Sequence, residues 1–303
     1  MKNILITGST GFIGKSLTVD LTPNFNLLLP TRNSLKSSDL FDDVDAVIHL
    51  AGKAHDNRKF VKGNDYEEIN TKLTIDLFDR FLLSECEMFI FMSSILVLGS
   101  SSTSPLTEDS IPAPFSQYSN SKQLAENYIL RKLSSTSKKV IIIRVPLVYG
   151  KDQKGNLNNL FDFIDKIPFW PLGSYHAKKS FCDIDNLKFV LNKILLNRNI
   201  PSGIYHVADD VEYSLNEFYI RLSKSINRNP IIISIPKFII STMSYIGSLL
   251  RLSFNHIRLE KLSSSLLVSN NKIKSALNIQ LPYGGYEVLV SIFKEQYRNK
   301  KSI

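Results

Sequence analysis

Residues 7–14 read TGSTGFIG, between the strand-like residues 2–7 (KNILIT) and the helix-patterned residues 12–21 (FIGKSLTVDL). A glycine-rich turn in that position, closing a strand and opening a helix, is a phosphate-binding device. Gly8 permits the tight turn, Gly11 lets the backbone approach a pyrophosphate, and Gly14 lets helix and sheet pack closely. Phe12 and Ile13 begin the helix, whose N-terminus would face the anion. The expectation is a bound dinucleotide, with a tight turn lacking any ligand as the plainer alternative.

Outward from this loop the chain keeps alternating. Residues 25–29 (FNLLL), 45–52 (DAVIHLAG), 88–94 (MFIFMSS) and 139–150 (KVIIIRVPLVYG) are apolar on both strand faces, as in a parallel sheet covered by helices on both sides. Residues 66–83 and 116–133 carry apolar side chains at spacings of three and four, the helical period. This predicts an α/β fold, a Rossmann-type doubly wound parallel sheet. Beyond about residue 151 the alternation weakens, but a helix over residues 188–196 and a strand over 203–208 are expected to return to the sheet. The expected division is a dinucleotide-binding domain of residues 1–153 and 180–207, with a smaller, discontinuous C-terminal substrate domain of residues 154–179 and 208–303.

Composition narrows the field. At 303 residues, 43% hydrophobic and 21% charged, the chain is that of a globular protein. The net charge of +9 is spread over dispersed lysines rather than a basic stripe with interleaved aromatics, so nucleic acid is not an expected partner. Cys86 and Cys182 are far apart and outside any Cys/His cluster, so neither a metal site nor a disulfide is expected. No secretory signal pattern opens the chain, and a cytoplasmic location is expected. The longest apolar stretch, residues 238–250 (FIISTMSYIGSLL), is too short to span a bilayer. It reads as a packed helix, with contact to a membrane surface as the alternative.

Residues 118–122, YSNSK, place Tyr118 and Lys122 four apart and therefore on one helix face. An ammonium there stabilises a phenolate and would lower the tyrosine pKa, suiting it to acid–base work near neutral pH. Alone, the pair could be a solvated surface pair. Its company is the argument: the glycine loop lies upstream, and Ser94 ends a central strand where its hydroxyl could share a substrate oxygen with Tyr118. His49 and His206 read as core histidines rather than ligands.

These elements together resemble the extended short-chain dehydrogenase/reductases, the NAD(P)-dependent epimerase/dehydratase family. The resemblance continues through residues 144–150 (RVPLVYG), 154–156 (KGN), 178–187 (KKSFCDIDNL) and 269–282. It implies that Tyr118 exchanges a proton with the substrate oxygen, that Lys122 tunes it and binds the nicotinamide ribose, and that Ser94, rather than Ser93, orients the substrate oxygen. Asn70 looks like the family's helix asparagine near the active site. Asp39 and Leu40 resemble the pair that meets the adenine ring, and Leu50, Ala51 and Gly52 the strand end beside the cofactor.

Residues 30–34 read PTRNS, with no carboxylate for a ribose 2′-hydroxyl; Arg32 suits a 2′-phosphate and tilts the expectation from NAD toward NADP. The resemblance implies a UDP-linked hexose or N-acetylhexosamine as substrate, with Asn156 and Lys179 as substrate contacts, and a homodimer through the YSNSK helix. A reductase must exchange its cofactor each turnover, so Arg32 favours a 4-keto-6-deoxy-sugar reductase of surface-polysaccharide biosynthesis. A UDP-hexose 4-epimerase is the alternative, and a non-catalytic dinucleotide-binding protein a distant one. A 4,6-dehydratase is disfavoured because ILVLG after Ser94 offers no Asp-Glu pair. Leu98 also stands where many sugar epimerases carry tyrosine.

Overall fold

The computed structural model describes residues 1–53, 65–151, 153, 156–197, 199–250 and 255–301. Strand β1 (Asn3–Thr7) leads through the glycine loop into α1 (Phe12–Leu21), followed by β2 (Asn26–Leu28) and β3 (Ala46–His49). A π-helical segment, Glu67–Lys72, runs into α2 (Leu73–Leu83), then β4 (Met88–Ser94), α3 (Gln117–Leu133) and β5 (Lys139–Val145). Six strands form one sheet in the order β2-β1-β3-β4-β5-β8, where β8 is Gly203–His206, and every pairing is parallel.

The sequence explains both faces. Along each central strand, successive side chains point to opposite sides. Ile4, Ile6, Ile48, Ile90 and Ile143 therefore enter one core with Leu17 of α1 and Leu187 of a later helix, α5 (Ile184–Leu196). Leu5, Val47, Phe89, Phe91 and Ile142 enter the opposite core with Phe78 of α2 and Ile129 of α3. Each fully buried side chain contributes roughly 1.5–3 kcal/mol, so no strand of the sheet centre can be turned over without losing both cores.

Between β5 and α5 (Ile184–Leu196) lie β6 (Leu147–Tyr149), α4 (Asn156–Lys166) and β7 (Lys178–Asp183). The run KVIIIRVPLVYG, expected as one strand, is thus two: Pro146 cannot donate to the ladder, and β6 leaves the large sheet to pair with β7 in a second sheet, ordered β6-β7-β9. Strand β9 (Glu212–Ser214) runs antiparallel to β7. A third apolar core joins Tyr149, Phe161 of α4, Phe218 of α6 (Leu215–Ser225) and other residues of this part of the chain.

The chain finishes with α7 (Lys237–Leu249), α8 (His256–Ser263), α9 (Asn271–Leu277) and α10 (Tyr286–Lys301). Here one expectation changes. Helix α7 is not a packed helix in the ordinary sense: it buries only Ile240, Ser244 and Gly247 and leaves most of its large apolar side chains exposed. Among the described residues, no helix is long and apolar enough to cross a membrane.

Candidate active site

The sheet order reverses between β1 and β3, and the glycine loop sits at the C-terminal end of β1 beside that switch point, where α/β sheets bind ligands. Gly8 has φ +75°, and a Cβ there would stand 2.7 Å from the Ala51 nitrogen. A Cβ on Gly14 would stand 2.3 Å from the Gly8 carbonyl oxygen. The loop is therefore folded back on its own helix and against the end of β3. Gly11 caps α1 without a side-chain hydrogen bond, and the first turn carries no acid. Phe12 and Ile13 pack their side chains on the core, leaving the backbone N–H groups of the helix start for an anion. This turn, shaped by Gly8 and Gly14 where a Cβ would strike backbone, fits a dinucleotide pyrophosphate.

A buried hydrogen-bond chain ties the loop to the next elements. The Ala51 N–H donates to Thr7 Oγ1 at 3.2 Å, and Thr7 Oγ1 lies 2.6 Å from His49 Nδ1. His49 Nε2 lies 2.9 Å from Thr74 Oγ1, which itself donates to the Asn70 carbonyl at 2.7 Å. Because the Thr74 hydrogen is committed to Asn70, Nε2 carries the imidazole proton and Nδ1 accepts from Thr7. Burial, then the Lys122 charge, pushes the His49 pKa down to about 3, so the ring stays neutral. His49 is thus a satisfied core histidine. His206 is also fully buried, but its ring nitrogens find no aligned partner among the described residues; burial and then Arg144 hold its pKa at about 3.

Asn70 lies in the π-helical segment, fully buried. Its Oδ1 accepts from the Lys53 N–H at 2.7 Å, and its Nδ2 donates to the Lys53 carbonyl at 3.1 Å and to Ser121 Oγ at 3.0 Å. Ser121 in turn donates to the Tyr118 carbonyl at 2.8 Å. The local π geometry, a frequent feature of functional sites, aims this amide at two elements at once.

Tyr118 and Lys122 lie in the first turns of α3, started by a reciprocal Ser116–Ser119 capping box. Lys122 is 5% exposed, donates from Nζ to the Met92 carbonyl at 2.8 Å, and sits 4.7 Å from the Phe91 ring centre. Burial pulls its pKa down to about 8, with Glu126 opposing. A Cβ on Gly52 would come 3.2 Å from Lys122 Nζ and 3.0 Å from Asn70 Oδ1, so glycine at the end of the LAG run leaves room for both.

Ser94, at the end of β4, stands close enough to the Tyr118 phenol to favour its ionised form, but burial dominates and raises the phenol's pKa. The expected lowering is not what this structure has, because the cost of burying a phenolate outweighs the Ser94 hydrogen bond. Tyr66 closes the other side, its ring 6.3 Å from that of Tyr118 at 68°. Ser93 instead donates to Glu126, which is held by Arg144 through contacts of 2.6–3.2 Å. Neighbouring serines thus face different tasks, and Ser94 is the one beside Tyr118.

Arg32 is exposed in the loop after β2. Asp39 is exposed and accepts from Ser37, which with its own backbone holds the carboxyl below its ordinary range, while Leu40 packs on the core. Leu50 and Ala51 are half-buried beside Gly8. Lys179 is half-buried on β7, its Nζ 3.3 Å from Ser264 Oγ and its pKa lowered by burial to about 8. The residues following Ser264 pair with both β7 and the loop after Ser94, through Lys179–Leu266 and Leu106–Val268 bridges. Asn156 begins α4, and Lys154 lies outside the described residues. Leu98 packs with Ile95, Ala208 and Leu266.

Sequence reasoning missed the His49 relay, the Glu126–Arg144 pair and a buried cluster around Asp209. Asp209 accepts from Tyr149 at 2.8 Å and Tyr213 at 2.9 Å, and also from the Asp183 N–H and Asn186. Burial raises its pKa. Only the Glu126 spacing, four residues past Lys122, was a usable signal. Among the described residues no group of acids, histidines or cysteines could hold a metal ion, and Cys86 and Cys182 are free and buried.

A parallel sheet with a glycine cradle at its switch point and a Tyr–Lys–Ser cluster at its C-terminal edge defines an extended short-chain dehydrogenase/reductase. Residues 4–208 match the NAD dependent epimerase/dehydratase family, and the chain belongs to that family of enzymes. Among curated relatives, the UDP-glucose 4-epimerase of Vibrio cholerae is 30% identical over 252 residues, 75% of this chain and 76% of that protein. Among solved structures, UDP-glucuronic acid 4-epimerase from Bacillus cereus in complex with NAD aligns with TM-score 0.74 at 19% identity, covering 97% of this chain and 99% of that one. RMD from Pseudomonas aeruginosa, complexed with NADPH, aligns with TM-score 0.72 at 20% identity, covering 97% and 100%.

Proposed function

We propose that this enzyme transfers hydride at C4 of a UDP-linked hexose or N-acetylhexosamine, with Tyr118 as acid–base. The observation that carries the reading is the convergence of Tyr118, Lys122 and Ser94 at the end of β4 beside the glycine cradle. Residues 1–153 and 180–207 hold the dinucleotide, and 154–179 with 208–303 the sugar nucleotide. Gly8, Gly11 and Gly14 would cradle the pyrophosphate, Asp39 and Leu40 would meet the adenine, and Gly52 and Lys122 would meet the nicotinamide ribose. When bound, the nicotinamide supplies the hydride acceptor or donor.

Tyr118 takes the proton from the C4 hydroxyl as C4 is oxidised, and returns it as the 4-keto sugar is reduced. Ser94 holds the same oxygen by a hydrogen bond, so the oxygen keeps its place through both steps. Lys179 and Asn156 contact the sugar nucleotide, Lys179 through a phosphate. A homodimer through α3 completes the proposal.

The direction distinguishes two arms. Interconversion of C4 epimers is supported by the 30% identity to the Vibrio cholerae 4-epimerase. Reduction of a 4-keto-6-deoxy sugar, for a surface polysaccharide, is supported by exposed Arg32 where a 2′-phosphate would lie, and by burial that keeps the Tyr118 phenol protonated. Anaerobic incubation with UDP-sugars or their 4-keto derivatives, with NADH or NADPH and products identified by NMR, separates them. Stoichiometric loss of NADPH marks a reductase, and interconversion without net cofactor change marks an epimerase. No turnover of any of these sugars would remove the proposal.

A further inference from the structure

Helix α7 is built the wrong way round for a helix that serves only the core. Its buried row, Ile240, Ser244 and Gly247, is narrow and mostly small. The adjacent row at the same spacing, Ile239, Met243, Ile246 and Leu250, is apolar and 39–61% exposed. Beside it, Phe238, Tyr245 and Leu249 are 58–83% exposed. The strand-like approach to the helix adds Ile231 and Ile233, also exposed. Isolated exposed apolar residues need no explanation, but a continuous apolar surface over a 13-residue helix marks a contact site.

The charge pattern indicates what covers it. Between Glu217 and Glu260 the chain has no acidic residue, yet it carries Arg221, Lys224, Arg228, Lys237, Arg251 and Arg258. Arg221 is paired with Glu217, and Arg228 is held by carbonyls of α4 and the following turn, so these two serve the fold. Lys224 and Lys237 are exposed. Lys237 opens α7 at the end where the helix dipole disfavours a cation, and although its Nζ stands 5.6 Å from the Tyr175 ring centre the side chain stays exposed. An exposed apolar face within a stretch of chain that carries cations and no acids complements an anionic lipid surface, into which such a helix lies in plane with its apolar side chains among the acyl chains. It suits a second copy of itself poorly, since two such faces would bring like charges together.

We propose that α7 docks this enzyme on an anionic membrane surface. This goes beyond the hydride-transfer reading and does not depend on it. The test is flotation of the full chain with vesicles rich in phosphatidylglycerol and with vesicles of phosphatidylcholine alone. It compares the parent with the Phe238→Ser/Ile246→Ser/Leu249→Ser variant and with Lys237→Glu. All three positions of the triple variant are exposed, so the fold, checked by circular dichroism and thermal melting, should be kept. The parent is expected to float with the anionic vesicles, the triple variant to partition roughly tenfold less, and Lys237→Glu to lose part of the binding, with added salt weakening the parent in the same direction. Equal flotation of parent and triple variant, or none by the parent, would overturn the proposal. So would light scattering that shows a parent dimer dissolved by the triple substitution without any vesicle binding, since the face would then join two copies.

Discussion

The Lys122 ammonium donates to the Met92 carbonyl oxygen at 2.8 Å, which fixes a buried cation two residues before Ser94. The bond ties the end of β4 to the face of α3, and burial there pulls the Lys122 pKa down to about 8.

Burial of this charge carries a stability cost. The Lys122 pKa falls from 10.5 to about 8, so between those values the unfolded chain binds the extra proton. Stability from this group is therefore present above 10.5 and lost as pH falls through about 8. Lys122→Met, lacking the charge, is expected to match or exceed the parent in melting temperature at pH 7, with the gap closing toward pH 10. Its kcat should fall by about a hundredfold or more. Thermal melts across pH, beside kcat, check both halves.

Tyr118→Phe keeps the ring that packs against Tyr66 and removes only the hydroxyl. Turnover is expected to drop by about 10²–10⁴, the usual worth of a positioned acid–base group, with dinucleotide affinity nearly unchanged. Steady-state rates and a cofactor fluorescence titration measure the two. Retained turnover would remove the phenol from the mechanism.

Gly14→Ala forces a methyl to within 2.3 Å of the Gly8 carbonyl unless the loop moves. The variant is expected to lose roughly 1–3 kcal/mol of stability and to bind dinucleotide more weakly, because the contact it disturbs shapes the cradle. Urea denaturation and equilibrium binding give both values.

His49 is held neutral by burial, its pKa lowered from 6.5 to about 3. A group depressed in this way contributes stability that is intact above 6.5 and drains as pH falls toward 3. The parent should destabilise more steeply over that window than His49→Gln, which cannot take up a proton. Denaturant midpoints at successive pH values show whether the two curves converge in acid.

Glu126→Gln is expected to cost about 3–5 kcal/mol, since Arg144 stays buried with its counter-charge gone. Adding Arg144→Met should return part of that loss. Urea unfolding of the single and double variants decides whether the two residues act as a pair.

Much of the N-terminal half was legible in the chain. Glycine spacing reports backbone constraints that are local, and strands such as Ile4–Ile6 and Phe89–Phe91 advertise burial on both faces through unbroken apolar runs. Tyr118, Lys122 and Ser94 could be joined because one helix turn and one strand end fix them. The His49 relay was hidden for the opposite reason: Thr7, His49, Thr74 and Asn70 come from β1, β3, α2 and the π-helical segment, and ordinary threonines carry no pattern. The Asp209 cluster is likewise assembled from β6, β7, β9 and α5. Pro146 was visible, yet its effect on strand pairing depends on which neighbour β6 meets. Helix α7 looked like core because apolar periodicity reports a face without saying what covers it.

The most direct test of the central claim is the fate of the hydrogen at C4. The enzyme loaded with oxidised dinucleotide is mixed with a UDP-hexose deuterated at C4, and the nicotinamide is analysed by mass spectrometry. Deuterium on the nicotinamide ring, with Tyr118→Phe slowing its arrival, is the expected result. Sugar conversion in which the label instead washes into solvent would contradict hydride transfer at this site.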